Sequence, residues 1–127
     1  MSIRLLIVDD HEMVREGLKY AFGSTEIAIV EAANGETALQ ILVNQRVDIV
    51  LLDVEMPVKD GIETLREIRK STRYGHLPVV MVTSRTGAKH RALAKEAGCN
   101  AYMGKPFNFP ALIEQISDLT GSDLQLT

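Results

Sequence analysis

The chain has 127 residues, 46% of them apolar, a formal net charge of −3 and one cysteine, Cys99. This is enough apolar sequence for one folded domain, the single thiol excludes an intramolecular disulfide, and scattered rather than massed Lys and Arg exclude the basic patch of a nucleic-acid binder. No apolar stretch is long enough to span a membrane, the start Met-Ser-Ile-Arg lacks a signal-peptide pattern, and the lone cysteine fits a reducing cytoplasm, the expected location.

The first apolar run, Ile3–Val8, has the length of a strand and stops at two adjacent carboxylates, Asp9 and Asp10. Met13, Val14, Gly17, Leu18 and Ala21 then recur with helical spacing and are expected to share one face. A second strand is predicted over Ile27–Val30, followed after Asn34-Gly35 by a helix carrying Ala38, Leu39, Ile41 and Leu42. The third strand, Val47–Leu52, is the most apolar and ends at Asp53. After Asp60-Gly61, Ile62, Leu65 and Ile68 mark a third helix. Pro78–Val82 is the fourth strand, ending at Thr83 and Ser84, and Ala88–Ala97 is a weakly amphipathic fourth helix closed by Gly98. A weaker strand, Ala101–Met103, precedes Lys105, and Phe109, Leu112, Ile113, Ile116 and Leu119 give the clearest helical repeat.

Five alternations of strand and helix predict an α/β domain with right-handed crossovers. Strands apolar on both faces predict a parallel sheet covered on both sides. One domain is expected over residues 1–121, followed by a polar tail over 122–127.

In such a sheet, ligands bind beyond the carboxyl ends of the strands. Those ends hold Asp9, Asp10, Asp53, Thr83 and Lys105. Singly, each has an ordinary explanation: Asp10 and Thr83 as caps, Lys105 as a solvated loop residue. Together they do not. Two carboxylates about 5 Å apart repel by roughly 3 kcal/mol at an effective dielectric near 20. A hard divalent cation relieves that repulsion, and Mg²⁺ suits one or two carboxylates with phosphate oxygens and water. A hydroxyl and an ammonium opposite would suit the remaining oxygens of a phosphoryl group.

The segments VDD at 8–10, LLDVEMPVKDG at 51–61, VTS at 82–84 and GKPF at 104–107 resemble the receiver domains of bacterial two-component response regulators, over about residues 3–120. The resemblance implies a flavodoxin-like (βα)₅ fold with strand order 2-1-3-4-5 and a phosphoacceptor signalling domain rather than a substrate-converting enzyme. It implies Asp53 as the acceptor, Mg²⁺ held by Asp10, by Asp9 through water, by Asp53 and by the Glu55 carbonyl, and Thr83 and Lys105 on phosphoryl oxygens. Tyr102 matches the aromatic position that moves with Thr83, and a cis Lys105-Pro106 bond is implied. The implied partners are a sensor histidine kinase and an output protein or domain read through the face of the fourth helix, fifth strand and fifth helix; homodimerisation on phosphorylation stays open. Glu55 and Arg85, two residues after Asp53 and Thr83, are expected to pair across the mouth and tune the phosphorylated lifetime.

Alternatives are weaker. An aspartyl-nucleophile phosphatase needs D-x-D, whereas Asp10 is followed by His11. A phosphate loop between Gly98 and Lys105 has the wrong spacing, with Pro106 where Ser or Thr is needed. A phosphorylation-independent receiver-like module, or the first domain of a longer regulator or hybrid kinase, remain alternatives. His11, His76 and His90 lack metal-ligand spacing and read as surface residues.

Overall fold

The computed structural model describes residues 3–85 and 87–122, so the expected tail, apart from Ser122, lies outside the described residues. Five strands alternate with five helices: β1 (Arg4–Val8), α1 (Glu12–Phe22), β2 (Ala28–Ala32), α2 (Gly35–Asn44), β3 (Ile49–Asp53), α3 (Gly61–Arg69), β4 (Val79–Thr83), α4 (Ala88–Ala97), β5 (Ala101–Gly104) and α5 (Phe109–Thr120). The strands form one parallel sheet in the order β2-β1-β3-β4-β5.

The pleat sends alternate side chains to opposite faces, and each face buries a separate core. Leu6, Val8, Val50, Leu52, Val79 and Met81 face α2, α3 and α4 through Ala38, Leu42, Leu65, Ile68 and Ala94. Leu5, Ile7, Ile49, Leu51, Val80 and Val82 face α1 and α5 through Leu18, Phe22, Leu112, Ile113 and Ile116. This double burial is why the central strands read as unbroken apolar runs. Fully burying one such side chain contributes about 1.5–3 kcal/mol.

Several expectations shift: β1 begins at Arg4 rather than Ile3, β3 runs Ile49–Asp53 rather than Val47–Leu52, and β4 runs Val79–Thr83 rather than Pro78–Val82. The second strand runs Ala28–Ala32 rather than Ile27–Val30, because its pairing with β1 carries on through Glu31 and Ala32. On α1 the buried stripe is Leu18 and Phe22, whereas Met13 is 87% exposed and Val14 and Gly17 also face solvent. The rotation is fixed by Phe22, whose ring meets Phe109 of α5 edge-on at 4.8 Å.

Helix starts follow local chemistry. Asn34 and Asn108 cap α2 and α5 by accepting from Thr37 N–H at 2.8 Å and Ala111 N–H at 3.0 Å. Asp60 and Glu63 form a reciprocal capping box on α3. At the other end of α3, Arg69 turns under the sheet edge. Its guanidinium donates to the carbonyls of Gly98 (2.8 and 3.0 Å), Gly75 (3.0 Å) and Leu77 (2.7 Å) and to Asn100 Oδ1 (2.9 Å). Asn100 Oδ1 also accepts the Val79 N–H at 2.9 Å. One side chain thus ties α3, the end of α4, and the approaches to β4 and β5.

Candidate functional site

Strand register gathers the site. Val8 pairs with Leu52, so Asp9 and Asp53, one residue further on, lie side by side. Asp53 pairs with Val82, and Thr83 with Gly104, so Thr83 and Lys105 follow along the same edge. The Lys105-Pro106 peptide bond is cis, as implied.

Asp53 is 2% exposed. Lys105 Nζ donates to its Oδ1 at 2.9 Å and lies 3.5 Å from Asp9 Oδ2. Burial pushes the Asp53 carboxyl up to about 6; the Lys105 hydrogen bond opposes the rise, and the charges of Asp9 and Glu55 add to it. Burial disfavours the Lys105 charge, but the bond to Asp53 and the charges of Asp53 and Asp9 outweigh it, and its pKa is raised. Asp53 Oδ2, Asp10 Oδ1 and Glu55 Oε2 are buried without a hydrogen-bond partner. Buried carboxylate oxygens are normally satisfied. Donor atoms of Asp9, Asp10, His11 and Asp53 all lie within 4.8 Å of one another. Three carboxylates with unsatisfied oxygens on two of them suit a hard divalent cation, so these residues fit Mg²⁺.

Asp10 is not spent on capping. The N-cap of α1 is His11, which makes no side-chain cap. Asp9 is held from below: Arg15 donates to its carbonyl at 2.6 Å and pairs with Glu31 Oε1 on β2 at 3.0 Å.

The expected Glu55–Arg85 pair is not formed; among the described residues no ion pair joins them. Glu55 Oε1 instead accepts from the Thr83 hydroxyl, from Ser84 N–H at 3.0 Å and from Ser84 Oγ at 2.9 Å. The end of β4 lies directly beside the end of β3, so these donors reach Glu55 and the exposed Arg85 does not. Burial opposes ionisation of Glu55, yet the Thr83 and Ser84 bonds hold its carboxyl below the usual range. Arg85 N–H donates to Thr83 Oγ1 at 3.0 Å, and the Tyr102 hydroxyl donates to the Arg85 carbonyl. Thr83 and Tyr102 are therefore linked through Arg85's backbone.

The loop after Asp53 folds tightly back. Gly61 N–H donates to Val54 O at 2.9 Å, and a Cβ on Gly61 would lie 2.3 Å from the Asp53 carbonyl oxygen and 2.8 Å from Val54 Cα. Backbone cannot give way as a side chain can. Gly61→Ala is expected to lower stability by about 2 kcal/mol, measured by thermal unfolding; an unchanged midpoint would contradict this packing.

Arg15, Ser84 and His11 belong to the site's surroundings although sequence reasoning assigned them no role. Arg15 had a signal, six residues beyond Asp9 on the first turns of a helix. Ser84 stood beside Thr83 at the strand end.

Residues 5–117 match the sequence model of the response regulator receiver domain. The chain is 34% identical over 119 residues to the response regulator MprA of Mycobacterium sp. (strain KMS), covering 94% of this chain and 51% of that protein. It spans about half the length of the curated relatives it matches. The chemotaxis protein CheY4 of Vibrio cholerae superposes with a TM-score of 0.88 at 27% identity, over 94% of this chain and 99% of that one. The receiver domain of sensor histidine kinase PA1611 from Pseudomonas aeruginosa, solved with a magnesium ion in its active-site cleft, gives 0.87 at 27% identity over 96% and 100%. The sheet order, the acid cluster and these likenesses agree, and the chain belongs to the response regulator receiver domain family.

Proposed function

We propose that this chain, as one receiver unit over residues 1–121, accepts a phosphoryl group on Asp53 from a sensor histidine kinase and passes the signal by changing partner affinity. The observation that carries this reading is the buried Asp53 carboxylate, with one oxygen on Lys105 and the other unpartnered beside Asp9 and Asp10. An Asp53 oxygen attacks phosphorus, and the P–O bond forms as the P–N bond to the donor imidazole breaks. Asp9, Asp10, Asp53 and the Glu55 carbonyl would hold Mg²⁺, which when bound neutralises charge on the phosphoryl oxygens. Lys105 keeps the acceptor oriented and offers its ammonium to a second oxygen; the Thr83 hydroxyl suits a third.

Thr83 and Tyr102, joined through Arg85, form the switch, and the α4-β5-α5 face is where an output protein or domain reads it. Glu55 and Arg85 tune the lifetime as two separate charges at the mouth rather than as a pair.

Labelling with acetyl phosphate tests the acceptor. The wild type is expected to incorporate phosphate in Mg²⁺ and to lose labelling on chelation. Asp53→Asn is expected to take up none while folding normally. Aspartyl labelling in the variant would refute the assignment.

A further inference from the structure

His11 read as an ordinary surface histidine in the sequence, yet its ring lies on the acid cluster. Its Nδ1 is 3.2 Å from Asp9 Oδ1 and 3.2 Å from Asp10 Oδ1. The Asp10 contact lacks hydrogen-bond geometry, since Asp10 Oδ1 has no hydrogen-bond partner. The imidazole is not placed there by capping, which it does not do. Backbone and ring are both pinned to Asp9: His11 N–H donates to Asp9 Oδ1 at 2.9 Å, and Nδ1 is hydrogen-bonded to the same oxygen at 3.2 Å. The spacing has a meaning. Two donors bound to one ion at about 2.1 Å and at right angles lie about 3 Å apart. The Nδ1–carboxylate distances match the edge of such a coordination shell. Asp53, itself 2% exposed, carries an unpartnered oxygen and brings a carboxylate oxygen within 4.8 Å of the donor atoms of Asp9, Asp10 and His11. The His11 side chain is 65% exposed, so a hydrated ion can reach it.

We propose that His11 is an additional, nitrogen ligand of the acid cluster, and that it makes this site a binder of divalent transition metals such as Ni²⁺ and Zn²⁺. The inference rests on the reading of the cluster as a cation site and adds its specificity. Mg²⁺ takes oxygen donors and keeps its waters, so it draws little from an imidazole. Ni²⁺ and Zn²⁺ bind imidazole strongly. A single nitrogen beside three carboxylates therefore separates the two classes of ion without disturbing the Mg²⁺ ligands. The consequence is a phosphoacceptor pocket in which transition-metal ions compete with Mg²⁺ for the same carboxylates.

The test is calorimetric titration of the tag-free chain with Mg²⁺, Ni²⁺ or Zn²⁺ alone, at one fixed pH throughout. His11→Ala is expected to weaken Ni²⁺ and Zn²⁺ binding at least about tenfold and to change Mg²⁺ binding less than about twofold. His11→Gln, which keeps a polar side chain without the nitrogen ligand, is expected to behave like His11→Ala. In nuclear magnetic resonance spectra, substoichiometric Ni²⁺ is expected to broaden the His11 ring signals before those of His76 and His90. If all three ions weaken together and His11→Gln restores them, His11 only orients the carboxylates and the proposal is wrong. Equal Ni²⁺ affinity in wild type and His11→Ala also overturns it, while Mg²⁺ binding in the same titrations leaves the reading of the cluster standing. A wild type that binds none of the three ions defeats both.

Discussion

Asp53→Asn is expected to be more stable than the wild type at neutral pH in the absence of divalent cations. The folded Asp53 carboxyl titrates at about 6, above its ordinary 3.8, chiefly because it is buried. The folded state then binds a proton more tightly than the unfolded chain does. The stability contributed by the protonated group is fully present below about pH 4 and is lost as pH rises through 6. Asparagine carries no charge at any pH and escapes that loss. It also gives up the ion pair with Lys105, so the net gain above pH 7 is on the order of 2 kcal/mol, or roughly 7 °C in melting temperature. The gain should shrink steadily as pH falls from 7 to about 4. Added Mg²⁺ should narrow it as well, because only the wild type keeps its full ligand set. Thermal unfolding of both proteins across that range, with and without Mg²⁺, checks each point. A difference that does not vary with pH would mean that Asp53 does not titrate as a buried acid.

Arg69 is expected to give the largest loss of stability outside the two cores. Its guanidinium makes five hydrogen bonds to four acceptor atoms in separate parts of the chain. Removing it leaves part-buried carbonyls without a donor, each costing about 1–3 kcal/mol where water cannot replace it. Arg69→Ala should therefore lower stability by about 3 kcal/mol, seen in urea unfolding as a lower midpoint at an unchanged slope. Arg69→Lys should recover only a minor part, because one ammonium cannot span the planar fork. Amide exchange should quicken first around Gly98–Asn100. A full rescue by lysine would show that charge alone, near the end of α4, is what matters.

How far the sequence reveals this molecule depends on whether a feature is local. The central strands were legible because burial on both faces leaves unbroken apolar runs, and their terminal acids stood out against them. Lys105 and Thr83 were legible as strand ends, and the alternating pattern set the fold class. The failures are long-range. Apolar spacing on α1 pointed to Met13 and Val14, but the helix is turned by the contact of Phe22 with Phe109, far along the chain. Arg69 looked like any helix-end arginine, because its acceptors are backbone carbonyls up to 29 residues away and one asparagine 31 away. Glu55 lies beside the end of β4, but not with the partner expected. Charge suggested Arg85, whereas proximity at adjacent strand ends gave it the Thr83 and Ser84 donors.

The contact between Thr83 and Glu55 sets a rule of exclusion. A threonine hydroxyl has one proton to donate, and here it is committed to Glu55. A phosphoryl oxygen on Asp53 could accept that proton only by dispossessing the neighbouring carboxylate. Glu55 would then keep only its two bonds from Ser84, while Thr83 would carry Arg85's amide, and through it the carbonyl that holds Tyr102, to a new balance point. On that reading two acceptors would contend for one hydrogen. Under the proposed phosphorylation of Asp53, Glu55 would be the catch that holds the Thr83 hydroxyl until a phosphoryl oxygen claims it.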